Sequence, residues 1–132
     1  YEDLVVKLLI KEFPTLKRNP NPEKGYDLID DNDYKIEVKT DLGSIRTPNV
    51  VIEYKCNGVP SGISTSTAHE WDIFFYYDGK LNFARIKTRD LKSFIKNNDK
   101  QLQRKRGGDN DKSFLILINK EDFINAFFTL AL

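Results

Sequence analysis

The chain has 132 residues, of which 39% are hydrophobic and 31% carry a charged side chain, proportions typical of one globular domain and not of a disordered segment. The net charge is only +1, so overall charge excludes no class of partner, and the distribution of charge matters more. Acidic residues concentrate between positions 27 and 41, and basic residues between 96 and 106. The single cysteine, Cys56, excludes an intrachain disulfide and favours a reducing, intracellular compartment such as the cytoplasm.

The sequence carries no signal for membrane insertion or export. No apolar run approaches the length of a membrane span, and the opening segment lacks the basic flank and cleavage site of a signal peptide. We therefore expect no membrane partner. The chain does not begin with methionine, from which we expect a fragment or a processed product of a larger parent chain.

The first half of the sequence predicts one helix followed by three strands. Apolar residues at helical spacing in 1–13 indicate a helix that Pro14 ends. The segment 15–25, rich in Pro, Asn and Gly, indicates a loop with a short strand near Leu16. Alternating patterns predict strands over 26–29, 34–40 and 49–55, with an acidic turn between the first two.

The second half predicts a hairpin and two further helices around one buried strand. The Asp78-Gly79 pair is a strong hairpin signal. The elements in chain order are a polar loop over 56–70, the hairpin over 71–87, a helix over 88–98, a charged loop over 101–112, a strand over 113–118 and a helix over 120–132. Together the elements predict a single α/β domain over 1–132, with a central mixed β-sheet flanked by helices.

The first predicted hairpin carries charges on one face. If an odd number of residues forms its turn, Asp27 faces Glu37, and strand alternation places Lys39 on the same face. Ile36 and Val38 then point the other way, into the core. Two facing carboxylates repel each other unless a cation compensates them. The pattern therefore predicts two acids and one amine that converge on a site for a cation.

A divalent metal ion is the simplest such cation. Mg²⁺ prefers oxygen ligands and is commonly held by one or two carboxylates together with substrate phosphates. The ion polarises a phosphoryl oxygen and lowers the pKa of a water molecule, which suits hydrolysis of a phosphodiester. Lys39 would orient or help deprotonate that water, or stabilise charge that develops around phosphorus.

The same residues resemble those of a known family. Asp27, followed by Glu37-Val38-Lys39 in the next predicted strand, resembles the PD-(D/E)XK nuclease superfamily. The segments 49–71 and 107–118 look like parts of its small phage-type nuclease domains. The resemblance implies a restriction-endonuclease-like fold and a nuclease that uses Mg²⁺ or Mn²⁺ to cleave DNA, with a homodimer as a common assembly.

The resemblance also implies roles for individual residues. Asp27 and Glu37 would hold the metal ion, and Lys39 would serve catalysis. The first helix of such proteins often donates another acid, for which Glu2 matches the pattern better than Glu12. We therefore expect Glu2 near the metal.

A second set of residues competes for the same roles. Glu53 would join the catalytic residues if its strand lies beside that of Glu37. Asp41, Glu53 and Lys55 also repeat the spacing pattern on their own. We prefer the first set because Asp27 lies within a predicted strand, whereas Asp41 lies at the edge of a loop.

Polar and basic side chains later in the chain are candidates for contacts to a nucleic-acid backbone. Hydroxyl groups of the loop over 56–70 and cations of the 101–112 segment would bind phosphates without reading sequence. His69 is the only histidine, which excludes a multi-histidine metal site, and Trp71 is expected in the core. The candidates are Lys55, Ser61, Ser64, Thr65, Arg104, Lys105 and Arg106.

Two other interpretations stay open. A nucleic-acid-binding module of a replication or repair assembly would keep such a fold without the chemistry. A protein-interaction domain would carry the acidic hairpin as plain surface, because any half-exposed strand alternates charged and apolar residues. Metal-dependent cleavage distinguishes the nuclease from both.

Overall fold

Two β-sheets and three α-helices form the part of the chain that the computed structural model describes, residues 1–21 and 25–132. The helices are α1 (Glu2–Leu8), α2 (Thr88–Asn97) and α3 (Lys120–Ala126). The strands are β1 (Lys17–Arg18), β2 (Leu28–Ile29), β3 (Lys35–Asp41), β4 (Asn49–Cys56), β5 (Val59–Pro60), β6 (Glu70–Tyr77), β7 (Lys80–Lys87), β8 (Gln103–Gly107), β9 (Ser113–Asn119) and β10 (Thr129–Ala131).

The first sheet is mixed and the second is antiparallel. The first has the strand order β1-β2-β3-β6-β7-β10, in which β3 and β6 run parallel and the other neighbours antiparallel. The second has the order β5-β4-β9-β8. The predicted α/β class with a central mixed sheet is confirmed. The second sheet, however, covers a face of the first where the sequence predicted helices.

Each face of the first sheet has its own apolar core. On one face, Val5 and Leu9 from the α1 region pack with Leu28, Ile36 and Phe74. On the other face, side chains of β6 and β7 meet side chains of the second sheet and of α2 and α3, among them Trp71, Ile73, Phe75, Ile52, Ile116, Leu91 and Phe123. Trp71 is 2% exposed, which confirms its predicted place in the core.

Two segments near the C-terminal end differ from the sequence prediction. The charged loop over 101–112 contains the strand β8, which pairs with β9. Its side chains show no apolar alternation because four of its five residues are exposed, so backbone bonding to β9 forms a strand that the pattern could not indicate. The predicted helix over 120–132 ends at Ala126, because Thr129–Ala131 pairs with the free edge of β7.

The first helix is also shorter than predicted. Its last residue is Leu8, and the chain reaches Pro14 through turns in which the Leu9 carbonyl accepts bonds from Glu12 and Phe13. The predicted short strand near Leu16 is β1, whereas the predicted loop over 15–25 includes residues 22–24, which lie outside the described residues. None of the described helices is long and apolar enough to span a membrane.

A buried ion pair joins β6 to β7 on the α1 side of the first sheet. The Arg85 guanidinium donates two bonds to the Glu70 carboxylate, each 2.9 Å long, and a further bond to Glu12. The Tyr34 hydroxyl also donates to Glu70, at 2.8 Å. Glu70 is 3% exposed. Burial by itself would raise the pKa of Glu70, but hydrogen bonds from Asp72 and Arg85 outweigh it and hold that pKa below its ordinary value.

Asp72 lies fully buried beside this pair. Among the described residues no hydrogen-bond donor reaches either of its carboxyl oxygens. Burial, followed by the proximity of Glu70, raises the pKa of Asp72 to about 10. Asp72 is therefore a neutral acid at physiological pH, and its proton can be donated to the Glu70 carboxylate.

Asp72→Asn is expected to reduce the loss of stability at high pH. Because the folded pKa of Asp72 lies above its ordinary value of 3.8, its contribution to stability is complete below that value and is lost as pH rises towards about 10. The neutral amide cannot ionise. Urea unfolding at about pH 5 and pH 9 should show a fall in unfolding free energy that is smaller in the variant by at least about 1 kcal/mol. If the unfolding free energy of the variant fell as much as that of wild type between these pH values, Asp72 would not be neutral in the folded protein. The control is Asp31→Asn, at an exposed position, which should show the same fall as wild type.

Candidate active site

The hairpin formed by β2 and β3 has the predicted register. Leu28 pairs with Ile36, so Asp27 lies next to Glu37 at the start of β2. The Asp27 N–H donates to the Ile36 carbonyl at 3.0 Å, and Asp27 Oδ2 accepts the Val38 N–H at 2.7 Å. These two bonds fix the Asp27 carboxyl against β3 beside Glu37.

The turn of this hairpin is shaped by its own acids. The Asp30 carboxylate accepts backbone N–H bonds from Asn32 at 2.9 Å and Tyr34 at 2.8 Å. Asp33 adopts a positive φ of 61°, which short acidic side chains tolerate better than most. Asp31 is exposed at the tip. Asp30 and Asp33 therefore help to form the turn itself.

Glu37 and Lys39 form an ion pair on the face of β3 opposite α1. The Lys39 Nζ lies 3.2 Å from Glu37 Oε1, and only 15% of the Glu37 side chain is exposed, against 47% for Lys39. The same Nζ lies 5.4 Å from the centre of the Trp71 ring, within the range of a cation–π contact. The ion pair and the ring together hold the lysine at the mouth of a pocket.

The carboxyl of Glu37 is electrostatically unsatisfied despite its lysine partner. Burial raises the pKa of Glu37 to about 7, Lys39 opposes the shift, and neighbouring Asp27 adds to it. An acid with this pKa gains from any further positive charge that comes near it. Such perturbed acids concentrate at functional sites.

Glu37, Lys39 and Glu53 line one pocket of about 200 Å³. The sequence predicted that Glu53 would join Glu37 and Lys39 only if the strand of Glu53 lay beside that of Glu37. That condition is not met, because β3 pairs with β2 and β6, and β4 belongs to the second sheet. Glu53 reaches the pocket because the second sheet packs over the first. The other lining residues are Gly25, Gly62, Thr65, Ser66 and Trp71.

Glu53 is held in place by two hydroxyl groups. Ser61 Oγ donates to one of its carboxylate oxygens at 3.1 Å, and Ser113 Oγ donates to the other at 2.7 Å. The loop after β5 can approach because Gly62 has no side chain. A Cβ at Gly62, where φ is +53°, would lie 2.1 Å from the Glu53 carbonyl oxygen.

Four other acids and amines considered from the sequence lie away from this pocket. Asp41 Oδ2 accepts the Val51 N–H at 2.9 Å, and Lys55 lies over a ring on β9, so the competing set does not converge. Glu2 begins α1, which packs on the opposite face of the first sheet. Glu12 pairs with Arg85.

The candidates for backbone contacts are divided between two surfaces. Thr65 lines the pocket, while Ser61 is bonded to Glu53 and Ser64 Oγ donates to the Tyr54 carbonyl at 2.8 Å. Arg104 and Arg106 lie over aromatic rings of the second sheet. Strand alternation points Lys105 to the other side of β8. Burial raises the pKa of Asp41, and the positive charge of Lys105 is one of several influences that oppose this rise.

Sequence reasoning did not identify Ser66, Ser113 and Gly62 as residues that shape the pocket. Ser66 lines the pocket wall and accepts the Trp71 indole N–H at 2.8 Å. Ser113 orients Glu53 from β9. Only the glycine within Ser61-Gly62-Ile63-Ser64 gave a local signal, since a glycine in a polar loop indicates a close backbone approach.

The arrangement provides oxygen ligands from two directly adjacent carboxyls. These are the carboxyls of Asp27 and Glu37. The described residues contain no group of three His, Cys, Asp or Glu side chains that could hold a metal ion. Comparison of the sequence with protein-family models and with curated proteins gives no match. The pocket is therefore the observation on which a functional proposal must be based.

Proposed function

We propose that the chain is a metal-dependent nuclease of the PD-(D/E)XK type that hydrolyses DNA phosphodiester bonds on a restriction-endonuclease-like fold. One observation carries the proposal: Glu37, Lys39 and Glu53 line one pocket, and Asp27 is bonded to the backbone beside Glu37. Two acids can hold a divalent metal ion for phosphodiester hydrolysis, and a lysine can position the attacking water or stabilise the charge that develops on the phosphoryl oxygens.

The carboxyl of Glu37 in the pocket and that of Asp27 beside it fit Mg²⁺ or Mn²⁺. Asp27 and Glu37 supply hard oxygen ligands, and the pKa of Glu37, which burial raises and the neighbouring Asp27 raises further, would be lowered by a bound cation. Asp27 uses Oδ2 to accept the Val38 N–H, which leaves Oδ1 as a further acceptor. Mg²⁺ is commonly held by one or two carboxylates. When bound, the ion would polarise the phosphoryl group and lower the pKa of the attacking water.

Glu53 has a different role in this proposal. Both of its carboxylate oxygens already accept serine hydroxyls, so its orientation is fixed and its charge is partly compensated. Glu53 would accept a hydrogen bond from the attacking water at the far wall of the pocket. Glu2, on the opposite face of the sheet, is not part of the proposed metal site.

Lys39 would position the nucleophile. Its ammonium group is half-exposed at the pocket mouth and is tethered by Glu37 and Trp71. From there it would donate hydrogen bonds to the attacking water and to a non-bridging phosphate oxygen. A fixed positive charge stabilises the negative charge that grows on the phosphoryl oxygens in the transition state.

Lys39→Gln is expected to lower the single-turnover rate of DNA cleavage by about 10²- to 10⁴-fold. The amide retains hydrogen-bonding capacity but loses the charge. The control is Lys35→Gln, on the same strand and the same face but outside the pocket, which should cleave as wild type does. Equal rates for wild type and Lys39→Gln would remove Lys39 from the proposed mechanism.

The nucleic-acid-binding module gives a different result in the same assay. Such a module would bind the labelled DNA with an affinity that depends on salt, because phosphate contacts release counterions. It would release no product with either metal ion. Binding without cleavage by the wild-type chain would therefore replace the nuclease proposal with the binding module.

A further inference from the structure

Two larger cavities continue from the candidate active site along α2, and the first of them adjoins it. One, of about 430 Å³, shares Ser66 with the active-site pocket and is lined by residues around the start of the helix. The other, of about 390 Å³, shares Lys92 with the first. The three cavities therefore follow one another along the molecule. We call the two larger ones together the α2 groove; the cations that line it are Lys87, Arg89, Lys92, Lys96 and Arg104.

The α2 groove is positively charged. Arg89, Lys92 and Lys96 follow one another at helical spacing on one side of α2, and no Asp or Glu is among the described residues that line the groove. Arg89 is near Asp90 at 3.6 Å, and Arg104 pairs with Asp99. These are solvent-exposed pairs, which are weak. The groove thus presents cations directly beside the acidic pocket.

The Tyr54 ring lines the far end of the α2 groove, and the Phe114 ring lies next to it outside the groove. The Tyr54 and Phe114 rings are 6.3 Å apart, and the Arg104 guanidinium lies 5.6 Å from the Tyr54 ring. Lys55 and Arg106 lie 5.3 Å and 5.2 Å from the Phe114 ring. Rings framed by cations are typical of sites that stack bases and pair with phosphates of single-stranded nucleic acid.

We infer that the α2 groove binds a single strand of nucleic acid and leads it to the candidate active site. The cations would contact successive phosphates, and the rings would stack with bases that are not stacked on a complementary strand. This inference rests on the proposed nuclease function, since it assigns the substrate of the same site. Lys92 is central, because it lines both cavities of the groove.

Binding of oligothymidylate tests the inference without any metal ion. Fluorescence anisotropy would measure the affinity of wild type and of the Lys92→Gln/Lys96→Gln double variant for labelled oligothymidylate and for a blunt duplex of the same length. The control is Lys7→Gln/Lys11→Gln, which removes equal charge from exposed positions on and just after α1. Cleavage of the same labelled strands with Mg²⁺ is measured separately.

We expect wild type to prefer oligothymidylate, and the Lys92→Gln/Lys96→Gln variant to bind it roughly tenfold more weakly at low salt. The variant should also show a slope of log affinity against log salt that is smaller by about 1.4, since each lost phosphate contact on a single strand contributes about 0.7. The control variant should bind as wild type does.

The outcomes separate the groove from the nuclease. Equal affinity of wild type and the Lys92→Gln/Lys96→Gln variant for oligothymidylate would overturn the inference that the α2 groove binds a single strand, whether or not cleavage occurs. A preference of wild type for the blunt duplex would overturn it as well. If the variant bound oligothymidylate more weakly and wild type did not cleave it, single-strand binding by the α2 groove would be supported and the nuclease proposal would be contradicted. Circular dichroism of both double variants, whose substitutions are all at exposed positions, should match wild type.

Discussion

Glu37→Gln should lower the single-turnover rate of DNA cleavage by about a thousandfold or more, while the protein stays folded. The substitution removes one of the two proposed metal ligands and keeps the shape of the side chain. It also removes a buried charge, because only 15% of the side chain is exposed. Loss of activity is therefore expected without loss of structure.

The stability of this variant should depend on pH in a definite direction. Burial raises the folded pKa of Glu37 to about 7 from 4.5, so its contribution to stability is complete below pH 4.5 and is lost as pH rises through about 7. At about pH 8 the variant should be at least as stable as wild type, with a gain on the order of 1 kcal/mol after allowance for solvent screening. Urea unfolding measures this gain.

A matched control removes a carboxylate from the same hairpin. Asp31 is exposed at the turn, and Asp31→Asn should retain the wild-type cleavage rate and stability. A Glu37→Gln protein that cleaves as fast as wild type would show that Glu37 holds no metal ion in the reaction. A variant that unfolds at about pH 8 would show that the charged form of Glu37 stabilises the fold.

Arg85→Met should destabilise the protein by about 3–5 kcal/mol. The substitution leaves Glu70 charged and 3% exposed, next to Asp72 and without its two guanidinium bonds. Removal of one partner from a buried ion pair costs more than the pair contributes, because the remaining charge stays desolvated. Chemical denaturation measures the change in unfolding free energy.

A second substitution tests the cause of this loss. Glu70→Gln in the Arg85→Met background removes the stranded charge, and it should recover a large part of the lost stability. The control is Arg18→Met, whose partner Asp3 forms an exposed pair, with an expected change below about 1 kcal/mol. If Arg85→Met were no more destabilising than Arg18→Met, the buried pair would not stabilise the fold as described.

The local part of the candidate site could be predicted from the sequence. The register of the first hairpin depends on alternation and on its acidic turn, both of which are encoded within a few residues. The pairing of Leu28 with Ile36 followed from that register, and strand alternation placed Glu37 and Lys39 on one face, where the structure shows them as an ion pair. Local patterns carried this information because a shift of one residue would expose Ile36 and bury the charges.

The parts that depend on packing between distant segments could not be predicted. Glu53 reaches the pocket only because the second sheet packs over the first. Glu2 was expected near the metal, but the hydrophobic stripe of a helix does not say which face of a sheet it covers. The strand β8 has mostly exposed side chains, so its pairing with β9 left no hydrophobic pattern to recognise.

The most direct test of the proposed function is cleavage of labelled single-stranded, duplex and branched DNA with Mg²⁺ or Mn²⁺ by wild type and by Asp27→Asn. The asparagine side chain keeps an oxygen that can accept the Val38 N–H, so the substitution removes the charge and preserves the hairpin. The proposal predicts metal-dependent cleavage by wild type and a loss of about a thousandfold in the variant. Equal cleavage by both proteins, or no cleavage of any substrate that wild type binds, would contradict it.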